Sequence, residues 1–155
     1  MRKILKITGL VLLVAFAGIQ FVRPARNLGE PEGPDSIVRH HAVPDKVRAV
    51  LARSCYDCHS DRTHYPWYAE VQPVRWWLDS HIHDGKRHLN LSAFGRYDAE
   101  RAAHKLDEIV DTVAVARSMP LESYTWVHRD AILTQEEINL IADWAEALRD
   151  EIEAR

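Results

Sequence analysis

Residues 54–60 read Ser54-Cys55-Tyr56-Asp57-Cys58-His59-Ser60, and Cys55 and Cys58 are the only two cysteines in the 155-residue chain. Two thiols separated by two residues, with an imidazole directly after the second, form a C-x-x-C-H pattern. That pattern suits a particular chemistry: each thiol forms a thioether to one vinyl group of a haem, and His59 lies beneath the iron as its proximal ligand. Three other readings compete. A Cys55–Cys58 disulfide would close a very small loop, bring little chain-entropy benefit and leave His59 without a role. A thioredoxin-like redox motif needs a βαβ context, which the sequence does not offer. A zinc site needs two further ligands, and no second pair completes a familiar spacing.

Downstream of the motif lies what fills the sixth coordination position. Apart from Met1 the chain has one methionine, Met119, in Arg117-Ser118-Met119-Pro120-Leu121, 60 residues after His59. A thioether suits haem iron and raises its potential relative to a second imidazole. Pro120 stiffens the loop that presents the sulfur. The competing role is a gap-filling core methionine. The rival ligands are histidines, His81 and His83 foremost, and an iron with no sixth ligand is the remaining alternative. Aromatic residues cluster after the motif, in Tyr65-Pro66-Trp67-Tyr68 and Arg75-Trp76-Trp77. A guanidinium or an indole N–H can bond a propionate, which makes Arg75 and Trp76 propionate candidates, against the plainer reading of ordinary core aromatics.

Upstream, Ile4 to Val22 reads ILKITGLVLLVAFAGIQFV, 19 residues with Lys6 as the only charge. As a helix it would rise roughly 28 Å, close to the hydrocarbon thickness of about 30 Å. Arg2, Lys3 and Lys6 favour a cytoplasmic N-terminus. Residues 1–23 are therefore expected to be a transmembrane anchor. A signal peptide cut after Ala15-Phe16-Ala17 is the rival, and a buried core helix the bland alternative. Residues 24–43 hold Pro24, Pro31, Pro34, Gly29 and Gly33 with no apolar period, and are expected to be a flexible tether. Residues 44–155 are then an exported domain.

The formal charge of −3 averages two unlike parts, because residues 1–26 carry five basic side chains and no acidic one. The remaining 15 basic and 23 acidic side chains give residues 27–155 a charge of −8. Such a domain repels phosphates, which excludes nucleic acid as a partner.

The domain reads as all-α. Pro44 opens a helix with Val47, Val50 and Leu51 on one face, running into Cys55. Pro73 opens a second, with Trp76, Trp77 and Ile82 buried and an end near Gly85. Asp98 caps a third over Ala99 to about Ala116, with Ala102, Leu106, Ile109, Val110 and Val113 as its stripe. Thr134-Gln135-Glu136-Glu137 matches a capping box, followed by Ile138, Ile141, Ala142, Ala145, Leu148 and Ile152.

Taken together, the anchor followed by Arg23-Pro24, the Ser54–Ser60 motif, Tyr65-Pro66-Trp67-Tyr68, Met119-Pro120-Leu121, Ser123-Tyr124-Thr125-Trp126 and Asp143-Trp144-Ala145 resemble the bacterial membrane-anchored haem-binding-domain proteins, a family of small c-type cytochrome-like proteins. The resemblance implies one covalent haem c on Cys55 and Cys58, His59 as axial ligand and an all-α fold. The order of motif, Met-Pro and final amphipathic helix is also similar to class I cytochromes c. It departs from them in the long segment 64–97 and in lacking a glycine–aromatic pair on the first helix.

The expected function is a mono-haem c-type cytochrome with His59/Met119 ligation, an electron carrier and not an enzyme. It would be held by a single pass at the cytoplasmic membrane, with its domain in the periplasm or outside the cell. A redox partner with a basic docking patch would suit its acidic surface. The alternatives are a peroxidase-like haem enzyme, for which His81, His83 or Glu70 would supply acid–base chemistry, and a gas or redox sensor whose Met119 is displaceable.

Overall fold

The computed structural model describes residues 1–155 and is all-α, with a lone antiparallel bridge between Leu28 and Arg62 in place of any strand. Two long amphipathic helices form its base. α6 (Ala99–Val110) starts at Asp98, whose side chain accepts from the Arg101 amide at 2.8 Å, and buries Ala102, Ala103, Leu106 and Ile109. α8 (Gln135–Glu153) starts in the capping box read from the sequence, with Thr134 and Glu137 bonded reciprocally. It buries Ile138, Ile141, Ala145, Leu148 and Ile152, and also Trp144, against α6 and against α3 (Asp45–Ser54). Val47, Val50 and Leu51 of α3 complete the base of the core. Each helix is held by an apolar stripe at helical spacing, so burial and not propensity secures it.

Two readings of the middle segment are corrected. The second predicted helix is α5 (Val74–His88). It runs past Gly85 to His88, and its buried residues are Arg75 and Ile82, seven positions apart, whereas Trp76 and Trp77 are exposed. Adjacent tryptophans cannot both face one neighbour, and α5 turns the arginine inward. The third predicted helix stops being α-helical at Val110 and continues as a π-turn over Asp111–Val115.

The N-terminal part also departs from expectation. α1 (Arg2–Ile19) stops three residues before the apolar run ends at Val22, and it carries Arg2, Lys3 and Lys6 in its first five positions. No helix of the structure is long and apolar enough to cross a membrane. No residue of α1 is buried.

The segment expected to be a free tether has its own packing. The Asn27 amide group donates to the Ser60 carbonyl at 2.9 Å, the Gly29 amide to the Asp61 carbonyl at 2.6 Å, and Ser92 Oγ to the Pro31 carbonyl at 2.7 Å. A short helix α2 (Ile37–His40) puts Ile37 into the core. A proline- and glycine-rich stretch still carries backbone donors and acceptors, and the backbone and side chains of the domain pair with it.

Candidate haem site

The motif occupies the single-turn helix α4 (Tyr56–His59), which follows α3 directly at Cys55. α5 crosses close behind it. A Cβ added to Gly85 would meet the Cys58 carbonyl oxygen at 2.6 Å, so only glycine allows this crossing. That is why a glycine sits in a helix interior here, where the sequence alone reads it as a stop signal.

Beside α4 opens a cavity of about 520 Å³, within the range of 300–1,000 Å³ usual for ligand sites. Cys55, Cys58 and His59 form one part of its wall, Ile109, Thr112 and Val113 another, and Met119, Pro120 and Leu121 a third. The lining is mainly apolar, as a large planar ring with few polar groups requires. Lys105 and Glu108 of α6, joined Nζ to Oε2 at 2.6 Å, bring charge to it.

His59 Nδ1 lies 3.0 Å from the Leu89 carbonyl oxygen. A carbonyl only accepts, so Nδ1 carries the proton and Nε2 keeps its lone pair. This is the outer-shell bond that metal-ligating histidines generally make, and it fixes both tautomer and ring orientation. Burial lowers the His59 pKa, opposed in part by its backbone hydrogen bonds, so the imidazole is neutral and able to ligate.

The two cysteines are not joined to each other. Burial pushes the Cys55 thiol up to about 12 and the Cys58 thiol up to about 11. Both are therefore neutral thiols at neutral pH, unlike the low-pKa thiolates of redox C-x-x-C motifs. No group of three or more His, Cys, Asp or Glu side chains converges on one point.

Met119 reaches the cavity through the π-turn. The Thr112 carbonyl accepts from both the Ser118 amide at 2.9 Å and the Met119 amide at 3.2 Å. The chain reverses at Arg117, whose φ is 51°. The π-turn ends at Val115, and Thr112 within it accepts the two amides that lead into Met119. Of the histidine rivals, His81 lies on the cavity wall, with Nδ1 donating to the Trp77 carbonyl at 2.8 Å and Nε2 free. His83 is exposed and outside the lining.

Arg75, Trp76 and Glu70 also lie outside it. Arg75 is buried and donates to the Pro24 carbonyl at 2.8 Å, and the Trp76 indole donates to the Val22 carbonyl at 3.0 Å. Glu70 pairs with Arg23 at 3.0 Å and with Arg26. All three side chains bond the segment after α1.

The sequence reading missed Tyr124, which lines the cavity and donates its hydroxyl to Asp57 Oδ2 at 2.8 Å. Its ring stacks on His128 at 4.1 Å. Asp57 Oδ1 accepts from the His64 amide at 2.9 Å. Asp57 is the second variable position of the motif, so its carboxylate ties α4 to the loop at 64 and to α7 (Glu122–Thr125). A smaller aromatic-lined cleft adjoins the cavity and shares Asp57, Cys58, His81, Leu121 and Tyr124 with it.

No curated protein and no solved structure matches the chain. The haem-binding domain family matches residues 14–147, a stretch that contains every residue of the cavity wall. An apolar cavity of ligand size, a neutral imidazole with a free Nε2 and two thiols fit a haem, and this chain belongs to the haem-binding domain family.

Proposed function

We propose that this haem-binding protein is a membrane-anchored mono-haem c-type cytochrome that carries single electrons. The observation that carries the reading is the Nδ1–H bond from His59 to Leu89, made in the cavity that Cys55, Cys58 and Met119 also line. Haem c, when bound, supplies the one-electron chemistry of its iron. The remaining work belongs to the chain. Cys55 and Cys58 would supply the thiols for two thioethers, and His59 would offer Nε2 as a ligand. Thr112 holds the backbone of Met119, whose sulfur would be the second ligand. Ile109, Val113 and Leu121 give the cavity apolar walls that would exclude water from the group. The charge of −8 on residues 27–155 suits a redox partner with a basic docking patch.

Anchoring rests on α1. Its apolar side chains, from Ile4 to Val14, are roughly two-thirds exposed and have no protein partner. Apolar surface of that extent fits lipid, with Arg2, Lys3 and Lys6 at the cytoplasmic side and the haem domain at the outer one.

His81 supports a second reading. Its free Nε2 on the cavity wall would make it either the sixth ligand or the acid–base group of a peroxidase-like site. Carbon monoxide titration of the ferrous protein separates the two. Under the carrier reading binding is slow and weak, and it becomes prompt in Met119→Ala. Prompt binding in the unsubstituted protein would indicate an open iron and overturn the carrier.

A further inference from the structure

We propose that the haem domain lies against the bilayer on a fixed face made by Phe21, Val22, Trp67, Val71 and Trp76, with the acyl–headgroup boundary of the membrane as its partner. The inference rests on the anchoring reading above and adds how the domain is oriented. Its basis is the joint between α1 and the domain. Gln20 Oε1 accepts from the Gln72 amide at 2.9 Å, and Gln72 Nε2 donates to the Val22 carbonyl at 2.7 Å. The Trp76 indole and the Arg75 guanidinium hold the Val22 and Pro24 carbonyls. Gln72 is only 1% exposed, and its amide and side chain are both bonded to the end of α1. The side chains of Gln20, Gln72, Arg75 and Trp76 thereby fix the end of α1 to the segment between the 3₁₀ turn at Trp67–Glu70 and the start of α5.

The segments that make this joint leave apolar groups uncovered around it. Phe21 is 88% exposed, Val22 60% and Trp67 81%, and Val71 and Trp76 are both more than a third exposed. Clustered exposed apolar groups mark an interaction surface. Two considerations choose lipid as the occupant. From Ile4 to Ile19 the apolar part of α1 has 16 residues and rises roughly 24 Å, short of a hydrocarbon core of about 30 Å. The shortfall falls at its C-terminal end, where Phe21, Val22 and the tryptophans stand ready to fill it. Tryptophan also prefers the headgroup level, where the ring of Trp67 can meet acyl chains and its N–H a lipid carbonyl. Arg23 and Arg26, both partly exposed, share a single carboxylate, Glu70, and the surplus positive charge suits anionic headgroups.

The test places a spin label at Leu12→Cys, Trp67→Cys, Val71→Cys or Val115→Cys of the full-length haem-loaded protein, with the unsubstituted chain as blank. The labelled proteins are placed in vesicles of phosphatidylcholine and phosphatidylglycerol. Collisions with oxygen, which concentrates in lipid, are compared with collisions with a water-soluble nickel chelate. The oxygen-to-nickel ratio is expected to be several-fold higher at 12, 67 and 71 than at 115, an exposed site outside this face. Ratios at 67 and 71 equal to that at 115, with a high ratio at 12, would overturn the inference while leaving the anchor intact. Four low ratios would overturn the anchoring reading itself. Shielding of 67 and 71 from both reagents, with spin–spin broadening, would mean that a second copy covers the face and would overturn lipid as its partner.

Discussion

Gly85 and Cys58 are packed backbone to backbone: a methyl group on Gly85 would stand 3.1 Å from Cys58 Cβ, the carbon that bears the second sulfur of the motif. In an isolated helix Gly→Ala gains about 1 kcal/mol. Here the gain is reversed, because the atoms it meets belong to the backbone and Cβ of α4 and cannot swing aside. Gly85→Ala is expected to lose about 1–3 kcal/mol in urea unfolding and to lower the yield of haem-loaded protein. Unchanged stability would mean that α5 stands further from the motif.

Burial holds His59 and His41 below the ordinary histidine value. The unfolded chain therefore binds more protons than the folded one below about pH 6.5, and stability must fall as pH drops through that window. For His59 the slope is at most about 1.4 kcal/mol per pH unit. Urea midpoints of the haem-free Cys55→Ser/Cys58→Ser protein should drop between neutral pH and mildly acidic pH, and His59→Gln should flatten that drop.

Arg117 holds a left-handed backbone, with φ at 51°, where the chain turns to present Met119. A β-branched residue there costs about 1–2 kcal/mol. Arg117→Val should melt lower than Arg117→Gly, which relieves the strain but loses the Arg117–Gln135 bond of 2.6 Å. Equal melting of the two would place the turn elsewhere.

The hydroxyl of Tyr124 donates to Asp57, and burial together with the neighbouring carboxylate raises its ionisation well above the usual phenol range. Tyr124→Phe leaves the Asp57 carboxylate with the His64 amide but without the phenol. A loss of about 1–3 kcal/mol is expected in thermal or urea unfolding, with the visible spectrum nearly unchanged. A large spectral change would instead assign Tyr124 to the iron site.

Much of this was legible in the sequence. The motif, the Thr134–Glu137 capping box and the stripes of α6 and α8 are local patterns, and each is read off a few adjacent residues. What was not legible depends on distant partners. Leu89 matters through its carbonyl, which every residue has, so nothing in the sequence marks it. Trp76 and Trp77 read as core by type, yet Arg75 takes the inward position because the Pro24 carbonyl awaits it. Residues 24–43 read as tether by composition, since the side chains of Ser92 and Asn27 that fasten them are visible only in the folded chain. Gly85 carried a signal that was present but ambiguous: a glycine in a helix marks either an end or a close crossing.

The central claim is that Cys55 and Cys58 hold the haem covalently with His59 beneath its iron. The most direct test is the intact mass of the denatured protein, expressed with cytochrome c maturation machinery and extracted with acid–acetone. The account predicts that one haem stays with the polypeptide, is lost in Cys55→Ser/Cys58→Ser, and is retained in Met119→Ala. A wild-type chain that gives up its haem to the solvent would contradict it.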